Sequence, residues 1–202
     1  MSEHYFSDQP SGPEVRRTIT ARLFGREVEL ITANGVFSAD GVDTGTAVLL
    51  RASPVPTGAV TICDLGCGYG PLALALALAD PEVVVDAVDV NDRALALCRD
   101  NAARLGVAAR VRVARPEDVP GDRRYDEIWS NPPIRIGKPA LHQLLRTWLP
   151  RLRPSGAARL VVAKNLGADS LQRWLIAEGH DCERAGMAKG FRVLVVHPKE
   201  RD

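Results

Sequence analysis

The chain has 202 residues, 46% apolar and 25% charged, so it can bury one substantial core, and the length fits one domain better than two. No run approaches the roughly 20 apolar residues that span a bilayer, and Met1-Ser2-Glu3-His4 lacks a basic-then-apolar secretory pattern. A cytoplasmic protein with no membrane partner is expected. The formal charge of +1 conceals an asymmetry: residues 1–100 hold 7 Lys and Arg against 14 Asp and Glu, whereas residues 101–202 hold 19 against 11. Basic clustering of this kind suits a nucleic-acid face, because phosphate neutralisation supplies most sequence-independent affinity; solvated helix faces in an arginine-rich chain give the same count. Cys63, Cys67, Cys98 and Cys182 lack paired CxxC spacing, so neither a zinc site nor a disulfide framework is expected, and no metal.

In chain order, residues 1–15 carry Pro10 and Pro13 among Ser, Gly and Asp and read as an irregular arm. Thr18 to Leu23 and Glu27 to Thr32 alternate apolar with polar around Gly25-Arg26, which predicts a hairpin. After a loop with Gly35, Gly41 and Gly45, Thr46 is placed to cap a short helix over Ala47 to Arg51. From there strand and helix signals alternate. Strands are predicted at 59–65, 83–88, 110–114, 125–130 and 157–163, with helices at 72–79, 93–105, 139–149 and 168–177. The last two strands, 181–185 and 191–197, are joined only through Gly186 and Gly190, too little chain for a helix, so they close the sheet as an antiparallel hairpin. The expectation is a single α/β domain: a doubly wound, seven-stranded, mostly parallel sheet with that C-terminal hairpin, preceded by an N-terminal β-hairpin extension. Residues 1–52 would form arm, hairpin and lid, and 53–202 a Rossmann-like core.

Asp64-Leu65-Gly66-Cys67-Gly68-Tyr69-Gly70 lies where the first core strand turns into a helix. Glycines there admit a ligand to bare backbone, and the following helix offers free N–H groups. Asp89 ends the next strand, 23 residues after Gly66, where a carboxylate can take both hydroxyls of an adenosine ribose, with Val90 beside it. A dinucleotide site is the competing reading, but such sites put apolar residues before GxGxxG. Here a carboxylate precedes a GxGxG turn. With Asp64 in place the loop resembles motif I of class I methyltransferases, in which the acidic residue helps hold the methionine end of S-adenosylmethionine.

Ser130-Asn131-Pro132-Pro133-Ile134 follows the strand 125–130 at the same carboxyl edge. Two prolines have fixed φ and donate no hydrogen bond, so the preceding carbonyls are expected to be rigid and unpaired. That suits gripping a planar amine. If the Asn131 side-chain oxygen and the Pro132 carbonyl each accept one N–H, the nitrogen lone pair is steered toward a methyl donor, and positioning with electrostatics does most of the catalysis. Asn-Pro-Pro followed by an aromatic or aliphatic residue resembles the signature of methyltransferases acting on adenine N6, guanine N2, cytosine N4 or a glutamine amide. Ile134 gives up aromatic stacking.

Across nearly its whole length the chain resembles the small-domain methyltransferases related to bacterial small-subunit ribosomal RNA guanine-N2 methyltransferases, particularly their single-domain relatives. The shared blocks are His4-Tyr5-Phe6-Ser7; Gly35-Val36-Phe37-Ser38 with Asp43, Gly45 and Thr46; Asn131 to Lys138; and Lys189-Gly190-Phe191-Arg192-Val193. The resemblance implies an S-adenosylmethionine site holding Phe37, Thr46, Asp64, Gly66, Cys67, Gly68, Gly70, Asp89, Val90 and Asn131. It implies ribosomal RNA, naked or in a subunit, as partner of a monomer or weak dimer. Ile134, Arg135, Lys138, Lys164 and Arg192 become candidates to meet the target base and its phosphates. Where relatives carry an acidic residue for the adenine amino group, this chain has Arg115-Pro116-Glu117-Asp118, which leaves Glu117, Asp118 or backbone alone to make that contact. Two other readings compete: methylation of a protein glutamine amide or small-molecule amine, and a non-catalytic RNA-binding module. Intact Asp64, Asp89 and Asn131 disfavour the second.

Overall fold

The computed structural model describes residues 12–198, so the block His4-Tyr5-Phe6-Ser7 and most of the arm lie outside the described residues. The chain begins with the antiparallel pair β1 (Arg16–Leu23) and β2 (Arg26–Ala33), then α1 (Thr44–Ala52). The core follows as β3 (Thr61–Leu65), α2 (Pro71–Ala79), β4 (Val84–Val88), α3 (Asp92–Arg104), β5 (Val111–Ala114) and β6 (Tyr125–Ser130). It is completed by α4 (Lys138–Trp148), β7 (Leu152–Ala163), α5 (Ala168–Ala177), β8 (Asp181–Ala188) and β9 (Phe191–His197). The seven-stranded sheet has the order β5-β4-β3-β6-β7-β9-β8; its first five strands run parallel, and β9 pairs antiparallel with both β7 and β8.

Three local expectations are corrected. The first hairpin turns on Phe24-Gly25 rather than Gly25-Arg26, with φ of 44° and 82°, as a tight turn with two positive φ values requires. Asp43, not Thr46, caps α1: its carboxylate accepts from the backbone N–H of Gly45 and Thr46, and the helix starts three residues before the predicted Ala47. β7 starts at Leu152 because the chain through Pro154 and Gly156 joins β6 across a register shift instead of forming a loop.

Side chains alternate across the sheet and feed two cores. Val161 of β7 and Val193 of β9 pack with the hairpin, α1, α2 and α3; Leu160, Val162, Leu194 and Val196 pack with α4 and α5. No described helix is long and apolar enough to cross a membrane. Part of the basic C-terminal half is taken up by ion pairs: Arg115 with Asp92, Arg123 with Asp86, Arg146 with Glu178, Arg153 with Asp126, Arg159 with Glu127 and Arg184 with Asp169.

One of these pairs sits inside the fold. Asp86 is 1% exposed and accepts from Arg123 at 2.8 and 3.1 Å and from the Tyr125 hydroxyl at 2.9 Å. Removing the guanidinium strands a buried carboxylate, so Arg123→Ala should cost about 3 kcal/mol in chemical denaturation. An unchanged midpoint would show that solvent replaces the arginine.

Candidate functional site

Strand order places the site. β3 is flanked by β4 on one side and β6 on the other, so the connections leaving β3 and β6 diverge and open a crevice at their carboxyl ends. The glycine loop leaves β3 into this crevice and the Asn-Pro-Pro turn leaves β6 into it. Ser130 ties the two strand ends by donating its hydroxyl to the Leu65 carbonyl at 2.6 Å. The resulting cleft has a volume of about 520 Å³, within the usual range for small-molecule sites.

One lobe is cofactor-sized and mostly backbone. Gly66, Gly68 and Gly70 have φ of 82°, 55° and 96°, so the loop's direction depends on residues without a Cβ. The N–H groups of Gly66 and Cys67 donate to the Val88 carbonyl, clamping the loop against the end of β4. Asp89 accepts from Gly68 N–H at 2.8 Å and Asn91 N–H at 2.9 Å, which fixes both carboxylate oxygens while each keeps accepting capacity. Burial raises the Asp89 carboxyl above its ordinary range, and the N–H groups of Asn91, Gly68 and Val90 oppose that. Asp89 and Val90 line the cleft with Gly66 and Gly68, as the sequence suggests.

Behind the glycine loop a recess of about 30 Å³, room for roughly one water-sized group, is lined by Phe37, Asp43, Thr46, Asp64, Cys67, Tyr69 and Asn131 among others. Asp64 is 1% exposed and accepts from Ala73 N–H at 2.8 Å, bracing the first turn of α2. Burial, aided by the charge of Asp89 and opposed by the Ala73 N–H, pushes its carboxyl up to about 8. Gly70 does not line the cleft: a Cβ there would meet Cys98 Sγ at 2.7 Å, so it serves the packing of α2 on α3.

Where cleft and recess meet, Asn131 has a partner to which the sequence analysis gave no role. Asn131 Nδ2 donates to Asp43 Oδ2 at 2.7 Å and to Thr46 Oγ1 at 3.3 Å. A carboxylate only accepts, so Asp43 fixes which way the amide faces, and among the described residues nothing donates to Asn131 Oδ1. Gly45 makes this possible: a Cβ there would lie 2.8 Å from Asp43 Oδ2 and 3.2 Å from Asn131 Nδ2. The signal was present in the Asp43-x-Gly45-Thr46 spacing, because an N-cap carboxylate followed by a glycine leaves one side of the helix start open. The Pro132 carbonyl is not unpaired as expected. Pro133 has φ −73° and ψ 73°, an inverse γ-turn, in which Ile134 N–H donates to the Pro132 carbonyl at 2.8 Å. The turn fixes that carbonyl and leaves it one lone pair.

Asn131, Pro132, Pro133 and Ile134 line a second, apolar lobe with Leu144, Val161, Ala163, Leu166 and Phe191. Phe37 reaches both the recess and the cleft while 46% exposed; its segment is pinned by Asn91 Nδ2 donating to the Gly35 carbonyl and the Tyr69 hydroxyl donating to the Gly41 carbonyl. Other candidates fall elsewhere. Glu117 is drawn into an exposed pair with Arg115, and Pro116 forms that part of the wall. Arg192 pairs with Asp169 of α5 and is only 12% exposed, because position 192 points to the face opposite Phe191. Lys138 and Lys164 are exposed at the start of α4 and in the turn after β7; the side chain of Arg135 lies outside the described residues.

The strand order, the glycine loop with its carboxylates and the Asn-Pro-Pro turn at one crevice define an α/β fold of the class I methyltransferase type. The model of the methyltransferase small domain matches residues 27–195, and the chain belongs to that family. It is 34% identical over 173 residues to the uncharacterised protein YbxB of Bacillus subtilis (strain 168), an alignment covering 84% of this chain and 86% of that protein. It is 39% identical over 111 residues to ribosomal RNA small subunit methyltransferase C of Shewanella halifaxensis, covering 55% of this chain but 32% of the relative. The fold matches the 16S rRNA N2 G1207 methyltransferase (RsmC) of T. thermophilus, solved with AdoMet and guanosine, with a TM-score of 0.77 at 24% identity, over 93% of this chain and 52% of that one. Membership of this methyltransferase family supports S-adenosylmethionine as the cofactor.

Proposed function

We propose that the chain methylates an exocyclic amino group of a base in RNA, with guanine N2 of ribosomal RNA as the substrate best supported. The observation that carries the reading is the Asn131 amide, turned by Asp43 so that its donor faces the protein and its acceptor is left for an incoming amine. An exocyclic amine has two N–H groups and a lone pair delocalised into the ring. Asn131 Oδ1 takes one N–H and the remaining lone pair of the Pro132 carbonyl takes the other, which aligns the nitrogen for attack. The pocket dimensions, the buried Asp64 and the Asp89 carboxylate fit the cofactor: Asp89 would hold its ribose hydroxyls and Asp64 its methionine end. S-adenosylmethionine supplies an electrophilic methyl group on a sulfonium. Transfer would form the N–C bond as the S–C bond breaks, with the Asn131 and Pro132 carbonyl dipoles placed to meet the charge developing on nitrogen and the surplus proton released to water. The RNA target is further supported by the small-subunit methyltransferases among the relatives and by the guanosine in the T. thermophilus complex. The test offers radiolabelled cofactor to unmodified ribosomal RNA, a protein extract and a panel of small amines. Label should enter the RNA fraction; label confined to protein or small amines would overturn the reading.

The raised Asp64 carboxyl gives this reading a pH signature. A carboxyl whose folded value is raised to about 8 binds its proton across neutrality, and a cationic methionine end beside it must displace that proton. Cofactor affinity should therefore climb from pH 6 to pH 8, by up to about tenfold per unit. Asp64→Asn, which keeps the acceptor for Ala73 N–H, should flatten the profile. Calorimetric titration across this range checks it, and a flat wild-type profile would contradict it.

A further inference from the structure

With Ile134 in the fourth position of the tetrapeptide, the catalytic turn has no flat ring to hold a base. The cleft supplies one from another strand. Phe191 opens β9, pairs with Ala163 of β7, and lines the apolar lobe with Ile134 and Leu166. A methyl group at Gly45 would lie 3.0 Å from the Phe191 ring and 3.2 Å from Asn131 Nδ2, so ring and amide both border the start of α1. Two cations flank it. Lys189 occupies the β8–β9 turn just before Gly190, and Lys164 occupies the turn after β7; the two turns are joined by Lys164 N–H donating to the Gly190 carbonyl at 2.8 Å. Both lysines are exposed, and among the described residues neither has a side-chain partner, unlike Arg159, Arg184 and Arg192 of the neighbouring strands.

We infer that this corner is the target-nucleotide subsite: the Phe191 ring stacks on the base whose amine Asn131 receives, and Lys164 and Lys189 hold the phosphates on either side. The inference rests on the RNA reading above and deepens it. Position 192 cannot take this part, because successive strand residues face opposite sides of the sheet and Arg192 is spent on Asp169. A base lying against a ring needs only a π-face, whereas its flanking phosphates need cations in solvent, and the two lysines beside an apolar slot meet both demands.

Phe191 also touches the Gly45 corner, so the test must separate stacking from packing. Steady-state methyl transfer onto unmodified small-subunit ribosomal RNA is measured for wild type, Phe191→Ala, Phe191→Leu and Phe191→Tyr, with cofactor affinity measured alongside. Stacking predicts that Ala and Leu both raise KM for RNA, roughly ten- to hundredfold, that Tyr recovers most of the loss, and that cofactor affinity holds. A Leu variant as good as wild type would assign Phe191 to packing and overturn the subsite. The double variant Lys164→Gln, Lys189→Gln should reduce the log–log salt slope of RNA binding by about one and a half units; an unchanged slope overturns the phosphate contacts. Failure of the wild-type chain to methylate any RNA would remove the underlying reading, whereas wild-type transfer with an unaltered KM in Phe191→Ala would remove the subsite alone.

Discussion

Replacing Asn131 by alanine should lower kcat by about 10²–10³, equivalent to roughly 3–4 kcal/mol of transition-state stabilisation, while cofactor affinity and melting temperature stay near wild type. The side chain sits at the meeting of the cleft and the recess, and its amide is already paid for on the donor side by Asp43 and Thr46. Alanine removes the acceptor and leaves those two groups to water. Asn131→Asp keeps an acceptor but places a second carboxylate against Asp43 Oδ2, now 2.7 Å from the amide nitrogen, so it should lose turnover as well. Asp43→Asn offers a donor as well as an acceptor, so it no longer dictates which way the Asn131 amide faces, and kcat should fall with little change in cofactor affinity. Near-wild-type turnover in a folded Asn131→Ala variant would refute the proposed gripping of the amine. An Asn131→Ala chain that does not fold would make the tetrapeptide a structural turn.

Gly66→Val should abolish measurable cofactor binding, a loss of at least two orders of magnitude. Nothing in the protein lies within 4 Å of a Cβ built at Gly66, because that side of the residue faces the cleft. A branched side chain would therefore fill ligand space rather than clash with protein. The position also has φ of 82°, where a β-branched residue is strained, so some stability should be lost. Gly66→Ala shares the backbone strain with much less bulk. The account predicts a graded loss of affinity, Ala then Val, in variants whose circular dichroism remains native. Equal affinity in wild type and a folded Gly66→Val chain would place the cofactor elsewhere.

The sheet was legible because its strands are continuous apolar runs separated by helical segments, and the final hairpin because Gly186 to Gly190 leaves no room for a crossover. β6, α5 and β9 have the predicted bounds. What stayed hidden depends on contacts distant in sequence. Asp43 and Asn131 are 88 residues apart and meet only when α1 packs on β7 and β9, beside the end of β6. The destination of Arg192 follows from sheet alternation and the placement of Asp169 on α5. The basic half of the chain read as a nucleic-acid face, yet folding commits several of its arginines, Arg192 among them, to carboxylates, while Lys164 and Lys189 stay exposed near the cleft. Phe191 stood in a recognised block without a role, because nothing local says that β9 borders the Asn-Pro-Pro turn.

The most direct test of the central claim is nucleoside analysis after methyl transfer to unmodified small-subunit ribosomal RNA, presented both naked and as assembled subunits. The account predicts label in N2-methylguanosine, present with wild type and lost with Asn131→Ala. Label in N6-methyladenosine or N4-methylcytidine would keep the Asn131 mechanism but contradict guanine N2 as the target. Absence of label from RNA in either form, with label appearing in a protein glutamine or a small amine, would contradict the RNA assignment itself.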